Sequence, residues 1–336
     1  MGQLGYPMTP YVNVWGRAPQ DGGIEQFMDW PRYTNGLATL HHSLGFTIET
    51  HMLKPFSERV KATKQLLSTG LAFTSKEAKS IRQLRKKQKE YFAQLQSYPY
   101  HWEIDKTQAD TVDFLAFEYR ESPSAIGNYR LGKYYPDSLS ISIPYYNHYK
   151  VSKEIKKPTC AIIPVGYWQV AERLAAHGVE IERAKEPRSV PVKRFAIKDF
   201  KTVDNPYEKH YMHYNLDGKW EHDTSMLNQG DYLVKTGGDK DRIIMETLTP
   251  DAMDSYFSWN FFDAILQEKE GFSPYVFDQK AADLLAKQPA LAKNLEEWKA
   301  QQDAEPSHYE VLNWIYHNAP NFEHKIYYYY PVSFVY

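Results

Sequence analysis

Hydrophobic and polar positions change rhythm several times along this chain. Residues 1–35 are turn-rich, with Gly2, Gly5, Pro7, Pro10, Gly16, Pro19, Gly22 and Gly23, and one short strand expected over residues 11–15. Residues 36–42 read as a helix, with Gly45 as its C-cap candidate. Alternation over Phe46-Thr47-Ile48-Glu49-Thr50-His51 predicts a strand. Pro55 then opens a helix through Val60 and Leu67 to about residue 69. A second helix is expected over residues 75–96, with Thr74 as N-cap and Glu77 at the capping-box position.

Pro99 marks a shift to period-two patterning. Residues 113–119 and 138–143 alternate as strands, with turns at Ser122-Pro123 and Gly127-Asn128. Strand, helix and strand follow over residues 161–165, 167–177 and 179–182, then strands at 190–200, 231–236 and 242–248. The last quarter reads as helices at 250–268, 275–287, 290–302 and 308–317, with a final strand after Tyr327. The expected fold class is α/β in residues 1–96, followed by a β-rich α+β domain over residues 97–336 with a helical C-terminal quarter.

Composition supports a packed core. Of 336 residues, 42% are hydrophobic and 24% charged, which argues against disorder. The length suggests two domains. Forty Lys and Arg against 42 Asp and Glu offer no electrostatic case for nucleic acid or for an anionic membrane. No run of 18 apolar residues is present, so no membrane span is expected. Cys160 is the only cysteine, which removes internal disulfides and cysteine-based metal sites. Residues 1–10 lack the apolar core of a signal peptide, and the opening reads like an internal loop of a longer protein.

The strand expected at residues 46–51 carries the chemistry. Side chains alternate, so Thr47, Glu49 and His51 share one face and Phe46 and Ile48 the other. Such a polar face is either solvated or opens into a site at a strand end. Upstream stands Trp30-Pro31-Arg32-Tyr33-Thr34-Asn35-Gly36, and downstream Met52-Leu53-Lys54-Pro55 with Arg59 and Val60. Residues 24–66 resemble the end of the catalytic domain in bacterial zinc carboxypeptidases of the carboxypeptidase A type. Asp254-Ser255-Tyr256-Phe257-Ser258-Trp259-Asn260-Phe261-Phe262-Asp263, with Lys269-Glu270 and Tyr275-Val276-Phe277, resembles the C-terminal extension of the same bacterial group.

The resemblance implies a remnant of a carboxypeptidase-like mixed sheet in residues 1–96. It implies that Glu49 is the general base, taking a proton from a zinc-bound water and passing it to the leaving amine. Tyr33 matches the family's mobile tyrosine that hydrogen-bonds substrate, at a spacing shorter than in the animal enzymes. Arg32 and His51 are candidate substrate contacts by adjacency alone. The implied substrate is a peptide. Zinc is expected in the complete family protein and not in this chain. The family's His-x-x-Glu and later histidine lie upstream of the catalytic glutamate, where this sequence has only His41 and His42. The chain alone is therefore expected to be inactive. A complete protein with a signal peptide would be periplasmic or secreted.

Other motifs carry less. His177-Gly178-Val179-Glu180 is a His-x-x-Glu, but it closes a helix and follows Glu49. The histidines His210, His213 and His222 have strand-like spacing that suits surface groups better than a metal. Gly237-Gly238-Asp239 is a turn without the Lys-Ser/Thr of a phosphate loop. There is no Gly-x-Ser-x-Gly elbow and no paired carboxylate motif of a glycosidase. The alternative class is a binding module for peptide or polysaccharide, with Trp102, Trp168, Trp220 and Trp259 as an aromatic platform. An unpaired strand at residues 46–51 would also invite self-association.

Overall fold

The computed structural model describes residues 1–14, 16–267, 270–319 and 328–336. It is a mixed α/β structure, as the patterning predicts at the coarse level.

The first 96 residues hold little sheet. Strands β1 (Asn13–Val14) and β2 (Ile24–Glu25) are two residues each and pair antiparallel. Helix α1 (Thr34–Leu40) forms where expected. The strand expected over residues 46–51 does not form: residues 43–51 run as irregular chain. Strand geometry needs a neighbour to take its backbone N–H and C=O groups. Among the described residues no strand pairs with this segment.

Helices α2 (Phe56–Lys76) and α3 (Ala78–Gln94) meet at Glu77. The break expected near residues 69–75 is absent. Thr74 does not cap: its Oγ1 donates back to the Gly70 carbonyl at 2.8 Å inside α2, the back-bond a mid-helix threonine can make. Gly70 costs an exposed helix only about 1 kcal/mol. Strong helix formers on either side outweigh it. Neither helix has a fully buried residue.

Strands β3 (Ser97–Ile104), β4 (Asp110–Pro123), β5 (Arg130–Tyr146) and β6 (Tyr149–Lys156) come next. β3 and β6 form an antiparallel pair. β4 and β5 form a long hairpin closed by Ser124 N–H donating to the Tyr129 carbonyl at 2.8 Å. Alternation buries Phe114, Ala116 and Ile143 against Ile24 and leaves Leu115 and Phe117 exposed. β2 joins this hairpin in parallel, with Ile24 beside Tyr145.

The main sheet is built from β7 (Cys160–Ile163), β8 (Glu182–Arg183), β9 (Arg188–Thr202), β10 (His213–Leu227), β11 (Tyr232–Lys235) and β12 (Ser333–Val335). Its order is β10-β9-β12-β7-β11-β8, and every neighbouring pair is antiparallel. Helix α4 (Trp168–Ala176) packs on it through Val170, Ala171 and Leu174. The final strand is β12, whereas Tyr327 lies outside the described residues.

Two expected elements change type. The expected strand over residues 242–248 is helix α5 (Asp241–Leu248). The Asp241 carboxylate accepts from Gly237 and Gly238 N–H at 2.9 and 3.0 Å and so anchors the entering turn. Ile243, Ile244, Met245 and Leu248 then bury themselves on more than one side. In place of the helix expected over residues 250–268 stands a series of turns ending in a 3₁₀ turn at Asp263–Leu266, and residue 268 lies outside the described residues. Ser255 breaks the helix, because its Oγ donates to the Pro250 carbonyl and accepts from Ser258 N–H.

Helices α6 (Pro274–Lys287), α7 (Pro289–Ala300) and α8 (His308–Asn318) form where expected. They bury their own cluster of Ala281, Leu291, Leu295, Leu312 and Ile315. Ser307 and Glu310 make a complete capping box on α8.

Contacts cross residue 97 at several points. β2 pairs with β5, and Leu40 of α1 belongs to the same buried cluster as Ile163 and Phe334 of the main sheet.

Candidate functional site

The candidate site is organised around the first turn of α1. Tyr33 is extended at the N-cap, and its N–H donates to the Trp30 carbonyl at 2.9 Å. Gly36 lies against the carbonyls of Asp29 and Trp30, so close that any Cβ there would collide with both oxygens. The small residue in Thr34-Asn35-Gly36 is thus needed for close approach.

Asn35 bridges outward. Its Nδ2 donates to Thr47 Oγ1 at 3.0 Å and to Asp29 Oδ2 at 3.4 Å. Gly45 is not the helix cap. His41 is the C-cap residue, His42 takes the left-handed conformation at φ 52°, and Ser43 N–H donates to the Ala38 carbonyl. Gly45 instead lets the chain pass the Asn35 side chain, where a Cβ would lie 2.9 Å from Oδ1.

Glu49 stands two residues beyond Thr47 and is exposed. Among the described residues its carboxylate has no hydrogen-bond or ion-pair partner. Tyr33 is half-buried, with its ring edge-on to Phe27 at 5.3 Å. His51 is exposed, and its Nδ1 accepts from Leu53 N–H at 3.2 Å. The Asn35–Thr47 bond links the Tyr33 and Glu49 segments.

Arg32 is engaged by Asp254. Its Nε and Nη2 meet Asp254 Oδ1 at 2.8 and 2.7 Å, and its backbone N–H donates to Oδ2 at 2.8 Å. Adjacency to Tyr33 made it a contact candidate, and in the structure its guanidinium pairs with the buried Asp254 carboxylate. The sequence reading missed Asp254, because no local pattern joins positions so far apart.

The histidines are placed as follows. His41 Nε2 and His177 Nδ1 lie 3.2 Å apart. Burial pushes His41 below the usual imidazole range, with Lys240 adding to the effect. His177 is the C-cap of α4, and Gly178 follows it at φ 81° with its N–H on the Ala175 carbonyl, so the His-x-x-Glu there is a helix end. His213 is buried, with Thr202 Oγ1 at 2.9 Å and Asp263 Oδ1 at 3.0 Å on its two nitrogens. Among the described residues, no three His, Cys, Asp or Glu side chains come together as a metal-ligand group.

Of the four tryptophans proposed as a platform, only Trp168 is exposed. Trp102 is 6.5 Å from Trp30, Trp220 stacks on Phe334 at 5.0 Å, and Trp259 packs on Arg32. No helix among the described residues is long and apolar enough to cross a membrane. No protein-family model, curated protein or solved structure matches the chain.

Proposed function

We propose that this chain forms the Glu49-bearing part of a carboxypeptidase-type zinc peptidase, with a further polypeptide segment supplying the metal ligands. The observation that carries the reading is the state of residues 43–51. A carboxylate that is exposed, and unpaired among the described residues, sits on a segment tied to α1 through Asn35, while its neighbours Phe46, Met52, Leu53 and Phe56 stay exposed. A further segment that supplied a neighbouring strand would draw residues 46–51 into the family's mixed sheet.

In this reading the substrate is a peptide cleaved at its C-terminal bond. Glu49 accepts a proton from the attacking water and delivers it to the leaving amine. Tyr33 donates its hydroxyl hydrogen bond to the bound peptide. His51 is a rim contact. Zinc belongs to the supplied segment, and this chain's own residues contribute the base and the tyrosine.

The test is hydrolysis of C-terminal peptide bonds by the chain assembled with a segment carrying His-x-x-Glu. Glu49→Gln is expected to lower kcat by about 10²–10⁴-fold, the usual contribution of a general base, with zinc content unchanged. Full activity in Glu49→Gln would overturn the reading. So would stoichiometric zinc binding, or peptidase activity, of this chain alone.

A further inference from the structure

Asp254 follows Arg32 by 222 positions, and its side chain is 3% exposed. Both carboxylate oxygens are used. Oδ2 accepts from the Arg32 backbone N–H, and Oδ1 accepts from the Arg32 guanidinium and from Trp259 Nε1 at 3.2 Å. The guanidinium is enclosed on its other sides. Nη2 donates to the Met253 carbonyl at 3.3 Å, Nη1 faces Met212 Sδ at 3.6 Å, and the rings of Tyr207 and Trp259 lie 5.9 and 5.7 Å away.

Burying two charges costs nearly as much as their attraction returns, so such a pair is weak evidence for stability. What it provides over an apolar contact is direction, since the planar guanidinium has a fixed fork of donors. Here the carboxylate also holds the main chain of the residue next to Tyr33. The linkage continues inward. Tyr33 N–H bonds Trp30, Gly36 rests on the same turn, and Asn35 reaches Thr47, two residues from Glu49.

We propose that Asp254 is a positioning residue for the Glu49 site. It anchors the turn of residues 30–33 from the far end of the chain and through α1 sets Tyr33 and residues 43–51. The segment around Asp254 thereby becomes a support of the hydrolytic site. This rests on the peptidase reading above.

The test uses Asp254→Asn in the assembled hydrolase. Asparagine keeps an oxygen for the Arg32 N–H and drops the charge that holds the guanidinium. The control is Leu295→Ala in the separate α6–α8 cluster. Assays run well below both unfolding midpoints. Asp254→Asn is expected to lower kcat/KM by about ten- to a hundredfold, mostly through KM, because small misplacements of a site cost that much. Amide exchange at residues 30–36 and 43–51 is expected to speed up. Leu295→Ala should change neither. A wild-type KM in Asp254→Asn, or unchanged exchange at residues 43–51, overturns the proposal. Glu49→Gln separates the two failures. If that variant stays active, the peptidase reading falls and takes this proposal with it. If it is inactive while Asp254→Asn keeps its KM, only the positioning role is lost.

Discussion

Glu246 shows what a single buried charge demands. It is nearly inaccessible, and its Oε1 accepts from Tyr98 OH at 2.8 Å and from Arg242 Nε and Nη2 at 3.1 and 3.0 Å. Arg242 reaches further, donating to the Thr39 carbonyl of α1 at 3.1 Å. Removing one member of a buried pair strands the other. Arg242→Ala is therefore expected to lose about 3–5 kcal/mol in denaturant unfolding. A loss below about 1 kcal/mol would rank the pair with surface bridges. Burial pushes the Glu246 carboxyl up, and Arg242 and Tyr98 offset only part of it. The folded chain thus holds this proton more tightly than the unfolded chain, and that contribution fades as pH rises past 4.5. No periodicity could have revealed this network, since Tyr98 and Glu246 are 148 positions apart.

Helix α1 ends on two histidines that contact neighbouring elements. Leu40 enters the core, His41 meets His177, His42 Nε2 lies 3.2 Å from the Asp239 carbonyl, and Arg85 Nε donates to the His42 carbonyl. Burial lowers both His41 and His42, with Lys240, Lys89 and Arg242 opposing their protonation and Asp239 favouring it. The unfolded chain then binds more protons just below pH 6.5, so stability rises with pH there and is lost as pH falls from 6.5 toward the lowered folded values. Thermal unfolding is expected at lower temperature at pH 5.5 than at pH 7.5, with a shallower slope in His41→Asn/His42→Asn. An equal slope in that variant would remove α1 as the source. The element itself was legible, as were α6, α7, α8 and the β4–β5 hairpin, because each carries its own period and punctuation. Residues 242–248 and 250–268 misled the reading because their type is decided by Asp241 and Ser255 bonding to backbone. β10 was missed because the charged residues Asp217, Lys219, Glu221 and Asp223 make the strand look like loop. In the candidate site, the sequence pattern singled out Glu49 and Tyr33 but not what holds their segments together. The Arg32–Asp254 and Asn35–Thr47 contacts exist only after folding.

Across the whole molecule the largest imbalance is at the N-terminal third. Phe46 is 84% exposed and Leu53 83%, Met52 and Phe56 are nearly as open, and α2 adds Val60, Leu67, Leu71 and Phe73 without fully burying any of them. Scattered exposed hydrophobics are ordinary, but a run of them beside backbone that lacks strand partners is a docking or aggregation surface. Charge offers little protection. The net charge is −2 and the isoelectric point about 6.6, so repulsion between copies is weakest near neutral pH. The isolated chain is expected to self-associate there, giving a concentration-dependent mass by light scattering. Phe46→Ser/Leu53→Ser/Phe56→Ser should return it toward a monomer without lowering the unfolding midpoint, because those side chains bury little. The same variant should assemble poorly with a zinc-bearing segment, since it strips the face that such a segment would cover. A wild-type chain that stays monomeric at high concentration, and a triple variant that assembles normally, would mean that this face is solvated and that residues 43–56 dock against nothing.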